Sequence, residues 1–266
     1  MQAEEGTPTE GKAFTFRARP EHAALLSEMG ADIVSLANNH VYDYGEISLL
    51  DTLDTLTAAG MPYVGAGRNL TEAVRPVYFV TENVKIAFLS ATQIERMENP
   101  DTKGATETSP GVFRCRNVDL LLSEVEKAKA VSDFVVVYVH WGTESTTELD
   151  WAQKEQAPLI AQAGADLIIG DHPHVLQGIE WIGDTPVIYS VGNFLFNSKT
   201  QDTCLVEVTL DAQTGALKSF RFIPAIQKDC RTSLLDGAEK ARVISHMQSL
   251  SSGVTIDAEG YVIKTS

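Results

Sequence analysis

The chain contains one long apolar stretch, FVVVYVHWG, at residues 134–142. The six residues before its histidine are all β-branched or aromatic, which is typical of a strand buried inside a sheet. The run ends at His140, which Trp141 and Gly142 follow. In an open α/β fold, sites assemble at the carboxyl ends of the strands. The stretch therefore predicts a central strand that delivers a histidine to the functional edge of a sheet.

Two further apolar runs lead to histidines in the same way. Residues 33–36 precede Asn39-His40, and residues 167–169 precede His172-Pro173-His174. Four of the six histidines therefore follow predicted strands, although 134 residues separate His40 from His174. Imidazoles that converge at one edge of a sheet indicate a metal site or a proton-transfer site.

Helical and strand patterns alternate along the rest of the chain. Helices are predicted at residues 20–29, 46–59, 117–130, 149–163 and 236–250. Further strands are predicted at residues 63–65, 77–81, 85–90, 187–190, 205–210 and 217–223, with a tight turn at Glu82-Asn83 and a long polar loop at residues 92–111. The alternation predicts a single α/β domain over residues 1–266 with a mixed sheet, in which residues 203–266 supply the last strands and helix.

Charge and composition narrow the classes of function. The formal net charge of −15 argues against binding to nucleic acid or to an anionic membrane, since both need clustered lysines and arginines. An anionic substrate is disfavoured unless a metal ion or a local arginine reverses the field. No apolar run approaches the ~20 residues of a membrane span, and residues 1–12 do not resemble a signal peptide. Cys115, Cys204 and Cys230 lack a C-x-x-C spacing, so the redox compartment stays open.

The His172-Pro173-His174 segment has the strongest local metal-binding pattern. In an extended segment, residues two apart point the same way, and proline favours that geometry. Both rings are therefore expected to face one site, although a histidine pair bonded to backbone or water gives the same pattern. An Asn-His pair and a lone histidine at a strand end each have an equally ordinary structural explanation. Their joint occurrence at equivalent positions favours function.

The motifs occur in the order found in calcineurin-like metallophosphatases, which bind two metal ions through early acidic residues, then Asn-His, His and His-x-His. A closer resemblance, to the CapA family of capsule and poly-γ-glutamate synthesis proteins, covers residues from about 14 to 196. It is carried by SLANNHVYDYG (35–45), VGAG (64–67), HWGTE (140–144), GADLIIG (164–170), HPHVLQ (172–177) and YSVGNF (189–194). The resemblance implies an α/β fold with a metallophosphatase-like β-sandwich of mixed sheets flanked by helices.

The resemblance also implies roles for individual residues. Asn39, His140 and one or both of His172 and His174 would bind metal, and His40 would act as an acid or stabilise charge. Glu144, Asn193 and Asp43 would contact substrate or orient ligands, and Glu144 is equally expected as a solvated loop residue. Asp171 departs from the family pattern, since relatives often carry His, Ala or Ser at this position. Its carboxylate is expected beside the site, as an extra ligand or a substrate contact, or else as a polar loop residue. For Asp43 we favour a capping box with Glu46 at the start of the next helix.

The chain departs from the family pattern at its beginning. Relatives open with a strand that ends in Gly-Asp, followed by a segment carrying Asn-Leu-Glu, whereas this chain starts near the following stretch, residues 12–17. The resemblance therefore predicts an N-terminally truncated member that lacks the first strand region and its carboxylate ligands. Because carboxylates favour hard divalent ions, we expect an incomplete two-metal site for Mn, Fe or Zn, and a metal-poor chain that is weakly active or inactive.

The predicted function is a metal-dependent, phosphoesterase-like hydrolase activity of the full-length protein in capsule or poly-γ-glutamate biosynthesis. Its partners would be an anionic polymer or cell-wall-related substrate and membrane synthase subunits, with no nucleic acid. The alternative is a non-catalytic accessory subunit that binds polymer within a capsule synthesis or export complex. Full-length relatives are expected at the cell surface on a membrane anchor, although the chain itself shows no anchor or signal.

Overall fold

The computed structural model describes residues 6–81, 83–94, 102–196 and 199–265. The chain packs as two compact units. Unit 1 comprises Met1–Tyr78, Phe88–Glu124 and Tyr138–His140, and unit 2 comprises Phe79–Ala87, Val125–Val137 and Trp141–Ser266. The assignment of residues 1–266 to a single domain stays a prediction. Residues 95–101 of the predicted long loop, and Glu82 of the predicted turn, lie outside the described residues.

Helices and strands follow the predicted order, with several additional short strands. A 3₁₀ turn at Pro20–His22 precedes the helices α1 (Ala23–Glu28), α2 (Gly45–Ala58), α3 (Leu70–Ala73), α4 (Asp119–Lys129), α5 (Trp151–Gln162) and α6 (Gly237–Leu250). The strands are β1 (Val34–Ser35), β2 (Tyr63–Val64), β3 (Ala66–Gly67), β4 (Val77–Val80), β5 (Lys85–Thr92), β6 (Gly111–Val112), β7 (Phe134–His140), β8 (Leu167–Asp171), β9 (Leu176–Ile182), β10 (Thr185–Val191), β11 (Gln201–Leu210), β12 (Leu217–Lys228), β13 (Arg231–Leu234), β14 (Val254–Ile256) and β15 (Val262–Lys264). None of the helices in the described ranges combines the length and apolarity that crossing a membrane requires.

The strands form mixed and antiparallel sheets. A six-stranded sheet has the order β4-β5-β7-β8-β10-β9, in which β10 pairs with β8 in parallel and with β9 antiparallel. Strands β11, β12 and β13 form a three-stranded antiparallel sheet, and three two-stranded pairs complete the set. The predicted α/β class with mixed sheets and flanking helices is confirmed.

In unit 1, helix α2 turns one apolar face towards the core. Leu49, Leu53 and Leu56 recur at helical spacing and are at most 1% exposed. They pack in one cluster with Leu36, Val41, Met61, Ala66 and Val112. Burial of a leucine side chain contributes roughly 1.5–3 kcal/mol. Because Leu36 and Val41 flank the Asn38–His40 segment, this packing fixes the turn that follows β1.

In unit 2, helix α5 begins later than predicted, at Trp151, because Asp150 caps it. The Asp150 carboxylate accepts from the Gln153 amide at 3.0 Å, and the Gln153 side chain accepts from the Asp150 amide at 3.0 Å. This reciprocal pair satisfies two donors that would otherwise be unpaired at a helix start. Gln153 also donates to the Gln177 side chain on β9 at 2.6 Å. The cap therefore anchors α5 to the sheet.

A buried tryptophan packs beneath the histidine segment of unit 2. Trp141 is fully buried, and its indole N–H donates to the carbonyl oxygen of Tyr189 at 3.1 Å. Its backbone N–H donates to the carbonyl oxygen of Asp171 at 3.1 Å. The Trp141 and Tyr189 rings stack with centroids 6.0 Å apart. The burial and these contacts make Trp141 part of the core.

The approach of these groups leaves no space for a side chain at Gly170. A Cβ atom there would lie 2.1 Å from the Tyr189 carbonyl oxygen and 2.2 Å from the Trp141 indole nitrogen. We expect Gly170→Ala to lower the free energy of unfolding by about 3 kcal/mol, at the upper end of the usual cost of overpacking. Urea denaturation followed by fluorescence measures this. Gly183→Ala is the control: a Cβ there meets nothing within 4 Å, and its cost is limited to the strain of a left-handed backbone, about 1–2 kcal/mol. Equal stability of Gly170→Ala and the parent would contradict the packing.

Candidate metal centre

In unit 1, the structure brings Asn39 and His140 together. The carboxamide oxygen of Asn39 lies 2.9 Å from Nε2 of His140, and both residues are buried. His140 is the last residue of β7, and its carbonyl oxygen accepts from the Gln93 amide at 2.9 Å. Two ligands of one ion, each at about 2.1 Å, are separated by roughly 3 Å. The pair therefore has a spacing that suits either a hydrogen bond or two ligands of one metal ion.

His40 lies in the turn after β1, and Asp43 orients its ring. The Asp43 carboxylate lies 2.9 Å from Nδ1 of His40, and the Phe16 ring contacts the imidazole edge-on at 4.6 Å between centroids. The Asn38 side chain accepts from the His40 amide at 2.8 Å, which fixes the turn. Because the ionised carboxylate can only accept, Nδ1 carries the proton that His40 shares with Asp43. This leaves Nε2 as the nitrogen for proton transfer.

The Asp43 carboxylate is fully buried and remains ionised. Burial by itself would raise the pKa of this carboxyl, but hydrogen bonds from His40, Lys12 and the Phe16 amide outweigh it and hold the pKa below its ordinary value. The Phe16 amide donates to Asp43 at 2.8 Å, and the Lys12 ammonium donates both to Asp43 and to the carbonyl oxygen of Asn39. The negative charge that would stabilise a protonated His40 is thus maintained.

The predicted capping box of Asp43 with Glu46 is wrong. Helix α2 begins at Gly45 with Tyr44 as its N-cap, and no side chain caps it. The Asp43 carboxylate bonds instead to Lys12, Phe16 and His40, so its position beside the histidine is the role the structure supports. The ion pair with Lys12 adds to the bonds from Phe16 and His40, and these three contacts decide where the carboxylate points.

In unit 2, three side chains form a cluster of potential metal ligands. One ligand atom from each of Glu144, His172 and His174 lies within 4.8 Å of the other two. The carboxylate oxygen of Glu144 is 3.9 Å from Nε2 of His172, and the two imidazole centroids are 5.8 Å apart. Glu144 is 60% exposed and therefore able to rotate, whereas His172 is largely buried. Glu144 is thus a candidate ligand, in addition to the two predicted histidines.

The two histidines come together through a different backbone than expected. Both have left-handed conformations, with φ of +98° at His172 and +62° at His174, so the His172-Pro173-His174 segment is not extended. Few non-glycine residues adopt positive φ, and such strain is concentrated at functional sites. The Ser145 amide donates to the Pro173 carbonyl oxygen at 2.8 Å and holds the turn. The two rings lie close together, but the extended backbone predicted for them is wrong, and their binding of one metal ion stays a prediction.

Asn193 orients His174. Its carboxamide oxygen lies 2.8 Å from Nδ1 of His174, and its amide group donates to the Gln201 side chain at 2.8 Å. Because the amide nitrogen is used by Gln201, the oxygen faces His174, which must then carry its proton on Nδ1. The lone pair on Nε2 is directed away and is available to a metal ion. Partners of this kind fix ligand tautomers at many metal sites.

We expect Asn193→Ala to weaken divalent-metal binding about 10- to 100-fold, because His174 loses the partner that fixes its ring and tautomer. Isothermal titration of the EDTA-treated protein with Zn²⁺ or Mn²⁺ measures the affinity. Asn117→Ala, at an exposed asparagine that bonds to the Asp119 amide, is the matched control. Unchanged affinity in Asn193→Ala would show that Asn193 does not support a ligand.

One predicted site residue, Asp171, remains to be placed, and two residues that the sequence did not indicate contact the predicted ones. Asp171 ends β8, and its backbone carbonyl bonds to Trp141, while the ligand cluster within the described residues comprises Glu144, His172 and His174. Lys12 and Gln201 were not expected beside the predicted residues. Lys12 is 27 residues from Asn39, and neither residue belongs to a local motif, so no sequence signal marked them.

The donor set fits a divalent transition metal. Two imidazoles and one carboxylate are the ligands that Zn, Mn and non-haem Fe sites use. Neighbouring ligand atoms around such an ion lie about 3 Å apart, so the exposed Glu144 would move inward by roughly 1–2 Å on binding. The structure thus supports metal binding by the three side chains.

The fold and the site define a metallophosphatase-like α/β protein. A solved structure of a candidate 5′-nucleotidase from Staphylococcus aureus is similar to this chain, with a TM-score of 0.50 and 17% identity, covering 88% of this chain and 47% of that one. At this identity the likeness concerns the fold.

The sequence comparisons show the family. The model of the bacterial capsule synthesis protein family PGA_cap matches residues 1–198. The capsule biosynthesis protein CapA of Bacillus anthracis is 36% identical over 208 residues, covering 75% of this chain and 49% of the relative. The PGA biosynthesis protein CapA of Bacillus subtilis is 34% identical over 205 residues, covering 75% and 52%. The chain therefore belongs to the CapA family of bacterial capsule synthesis proteins, as its motifs predicted, and it spans about half the length of these two relatives.

Proposed function

We propose that this chain supplies histidine ligands to a metal-dependent hydrolase site that acts in capsule or poly-γ-glutamate biosynthesis. The observation that carries the proposal is the cluster of Glu144, His172 and His174, whose ligand atoms lie within 4.8 Å of one another. A divalent ion bound there would supply Lewis acidity towards a phosphoryl or carbonyl oxygen. Asn193 supports this assignment because it holds His174 with Nε2 available.

In unit 1, the His40–Asp43 pair provides the capacity for proton transfer. The Asp43 carboxylate accepts from Nδ1 and orients the imidazole, as a buried carboxylate does for many catalytic histidines. His40 is partly exposed, with 29% of its side chain accessible, so Nε2 can release a proton to a leaving oxygen. Asn39 and His140, at 2.9 Å, are our proposed ligands for a second ion, with Mn, Fe or Zn as the metals that suit the donors.

The proposed substrate is an anionic polymer or a related cell-wall component. The names of the two Bacillus relatives, which refer to capsule and PGA biosynthesis, support this class. A bound cation would also offset the net charge of −15 that disfavours an anionic substrate. We further propose a location at the cell surface, which labelling of intact cells with a membrane-impermeant reagent would test.

The test combines metal content with turnover. The EDTA-treated protein is reloaded with Mn²⁺, its bound metal is measured by elemental analysis, and hydrolysis of bis(4-nitrophenyl) phosphate is followed. We expect metal-dependent turnover that His140→Ala and His40→Ala abolish, whereas His246→Ala, at an exposed histidine of α6, leaves it unchanged. Metal binding without any turnover would instead support the non-catalytic accessory role, and turnover that survives in His140→Ala would refute the catalytic proposal.

A further inference from the structure

The hairpin of β12 and β13 presents two cations on one face. Lys228 and Arg231 are paired directly across the antiparallel ladder on either side of a two-residue turn. Directly opposite residues project from the same face of a hairpin, with Cβ atoms about 5 Å apart. Both residues are exposed. Two positive charges thus lie side by side in a chain whose 36 acidic residues outnumber its 21 lysines and arginines.

These two cations have no neutralising partner in the described part of the chain. Among the residues that the structure describes, no side chain forms an ion pair or hydrogen bond with the Lys228 ammonium or the Arg231 guanidinium. Most other exposed arginines and lysines at the surface of unit 2 have such partners, for example Arg242 with Asp202 and Lys218 with Asp211. Like charges directly opposite in a ladder are destabilising. An external anion would remove that repulsion.

The same face of the hairpin is concave. An open cavity of about 490 Å³ lies against this face. It is lined by Lys228 and Arg231, by the next cross-strand pair on the same face, Ile226 and Ser233, and by Asp229 of the turn. The lining carries two positive charges and one negative charge, with a hydroxyl and an apolar side chain beneath. This combination suits a ligand with both carboxylates and methylene groups, because arginine bonds carboxylates in a bidentate manner.

The opposite face of the hairpin is tied to the segment beside His174. Gln227 is fully buried and donates to the Phe196 carbonyl oxygen, and the Thr232 hydroxyl donates to the Phe194 carbonyl oxygen. The Phe196 ring lies 5.8 Å from the His174 ring between centroids. The hairpin is therefore fastened to the segment that follows Asn193 and packs on a metal-ligand candidate.

We propose that the Lys228–Arg231 face is a binding subsite for a carboxylate-bearing polymer of the γ-linked polyglutamate class. The inference rests on the proposed function, because that function supplies a polymer substrate. The concave shape and the paired cations favour a chain that carries one free carboxylate per repeat. An anionic membrane surface is disfavoured because such surfaces are usually bound by clusters of about four to eight lysines and arginines, whereas this face carries two.

The test measures polymer binding in the presence of EDTA, so that metal-dependent turnover and polymer binding are read separately. A fluorescently labelled γ-linked glutamate oligomer is titrated with the protein, and the anisotropy gives the affinity at low and high salt. We expect Lys228→Gln/Arg231→Gln to weaken binding about tenfold or more, because two charge-assisted contacts are lost. We expect Lys228→Arg/Arg231→Lys to retain most of the affinity. Urea denaturation verifies that each variant folds.

The control variant has the same net charge as Lys228→Gln/Arg231→Gln. Arg75→Gln/Lys154→Gln removes two exposed cations elsewhere and should leave the affinity nearly unchanged. Equal weakening in both double variants would overturn the proposal, since it would show a general charge effect. Undiminished binding in Lys228→Gln/Arg231→Gln would overturn it as well. Binding to phosphatidylglycerol vesicles that depends on the same two residues and exceeds oligomer binding would replace it with a membrane contact.

Discussion

Replacing His172 with alanine is expected to weaken divalent-metal binding in unit 2 by a hundredfold or more and to remove Mn²⁺-dependent turnover. The cluster offers three protein ligands, and the loss of one imidazole leaves two, Glu144 and His174, which are too few for tight binding. Titration calorimetry with Zn²⁺ and Mn²⁺ measures the affinity, and elemental analysis measures the stoichiometry after dialysis.

Two comparisons make this result specific. Glu144→Gln keeps the shape of the side chain but removes its charge, so we expect an intermediate loss of affinity. His246→Ala, on the exposed face of α6, controls for the loss of any histidine. If His172→Ala bound metal as tightly as the parent while remaining folded, the cluster would not be the metal site, whatever the activity.

Replacing Asp43 with alanine is expected to destabilise the protein by about 3 kcal/mol. Removing one partner of a buried ion pair leaves the other charge uncompensated, which usually costs 3–5 kcal/mol. Asp43 is fully buried, and the side chain of Lys12, its ionic partner, is 6% exposed. Urea denaturation at pH 7 measures the change. Asp54→Ala, which removes an exposed aspartate paired with Arg68, is the control and should have little effect.

The same carboxylate predicts how stability depends on pH. The pKa of Asp43 is lowered in the folded protein, so its contribution is fully present above the pKa of about 3.9 that an unfolded aspartate has. The contribution is lost as the pH falls through the lower pKa of the folded state. We therefore expect the parent to lose more stability than Asp43→Asn between pH 5 and pH 2 (about the range of acid unfolding). Parallel stability curves for the two proteins would contradict the assignment.

The sequence predicted the strands that deliver the histidines, because those strands are strongly patterned. The apolar run before His140 has no helical period, so β7 was expected within one residue of its observed end. Strand β9, by contrast, went unpredicted, since LQGIEWI (176–182) lacks both clear alternation and a continuous apolar run. Patterns over six or more residues report burial, and shorter or mixed patterns do not.

The details of the site depended on contacts between distant residues. Nothing near Asp43 in the sequence indicated that Lys12 would bond to it. The sequence therefore favoured a local capping box, which the structure does not contain. Proline between two histidines favours extended backbone in isolation, but the hydrogen bond from Ser145 to Pro173 holds a turn instead. The family motifs indicated candidate site residues, which stay predictions, whereas tertiary contacts set their hydrogen-bond partners and backbone conformations.

The left-handed backbone at His172 has a consequence for engineering this protein. Glycine adopts a φ of +98° without the steric cost that a side chain incurs, which is of order 1–3 kcal/mol for such residues. A library screened only for thermal resistance should therefore enrich His172→Gly, and the same change would discard a candidate metal ligand. Stability and chemistry compete for this one position, so improved variants need selection for both properties together.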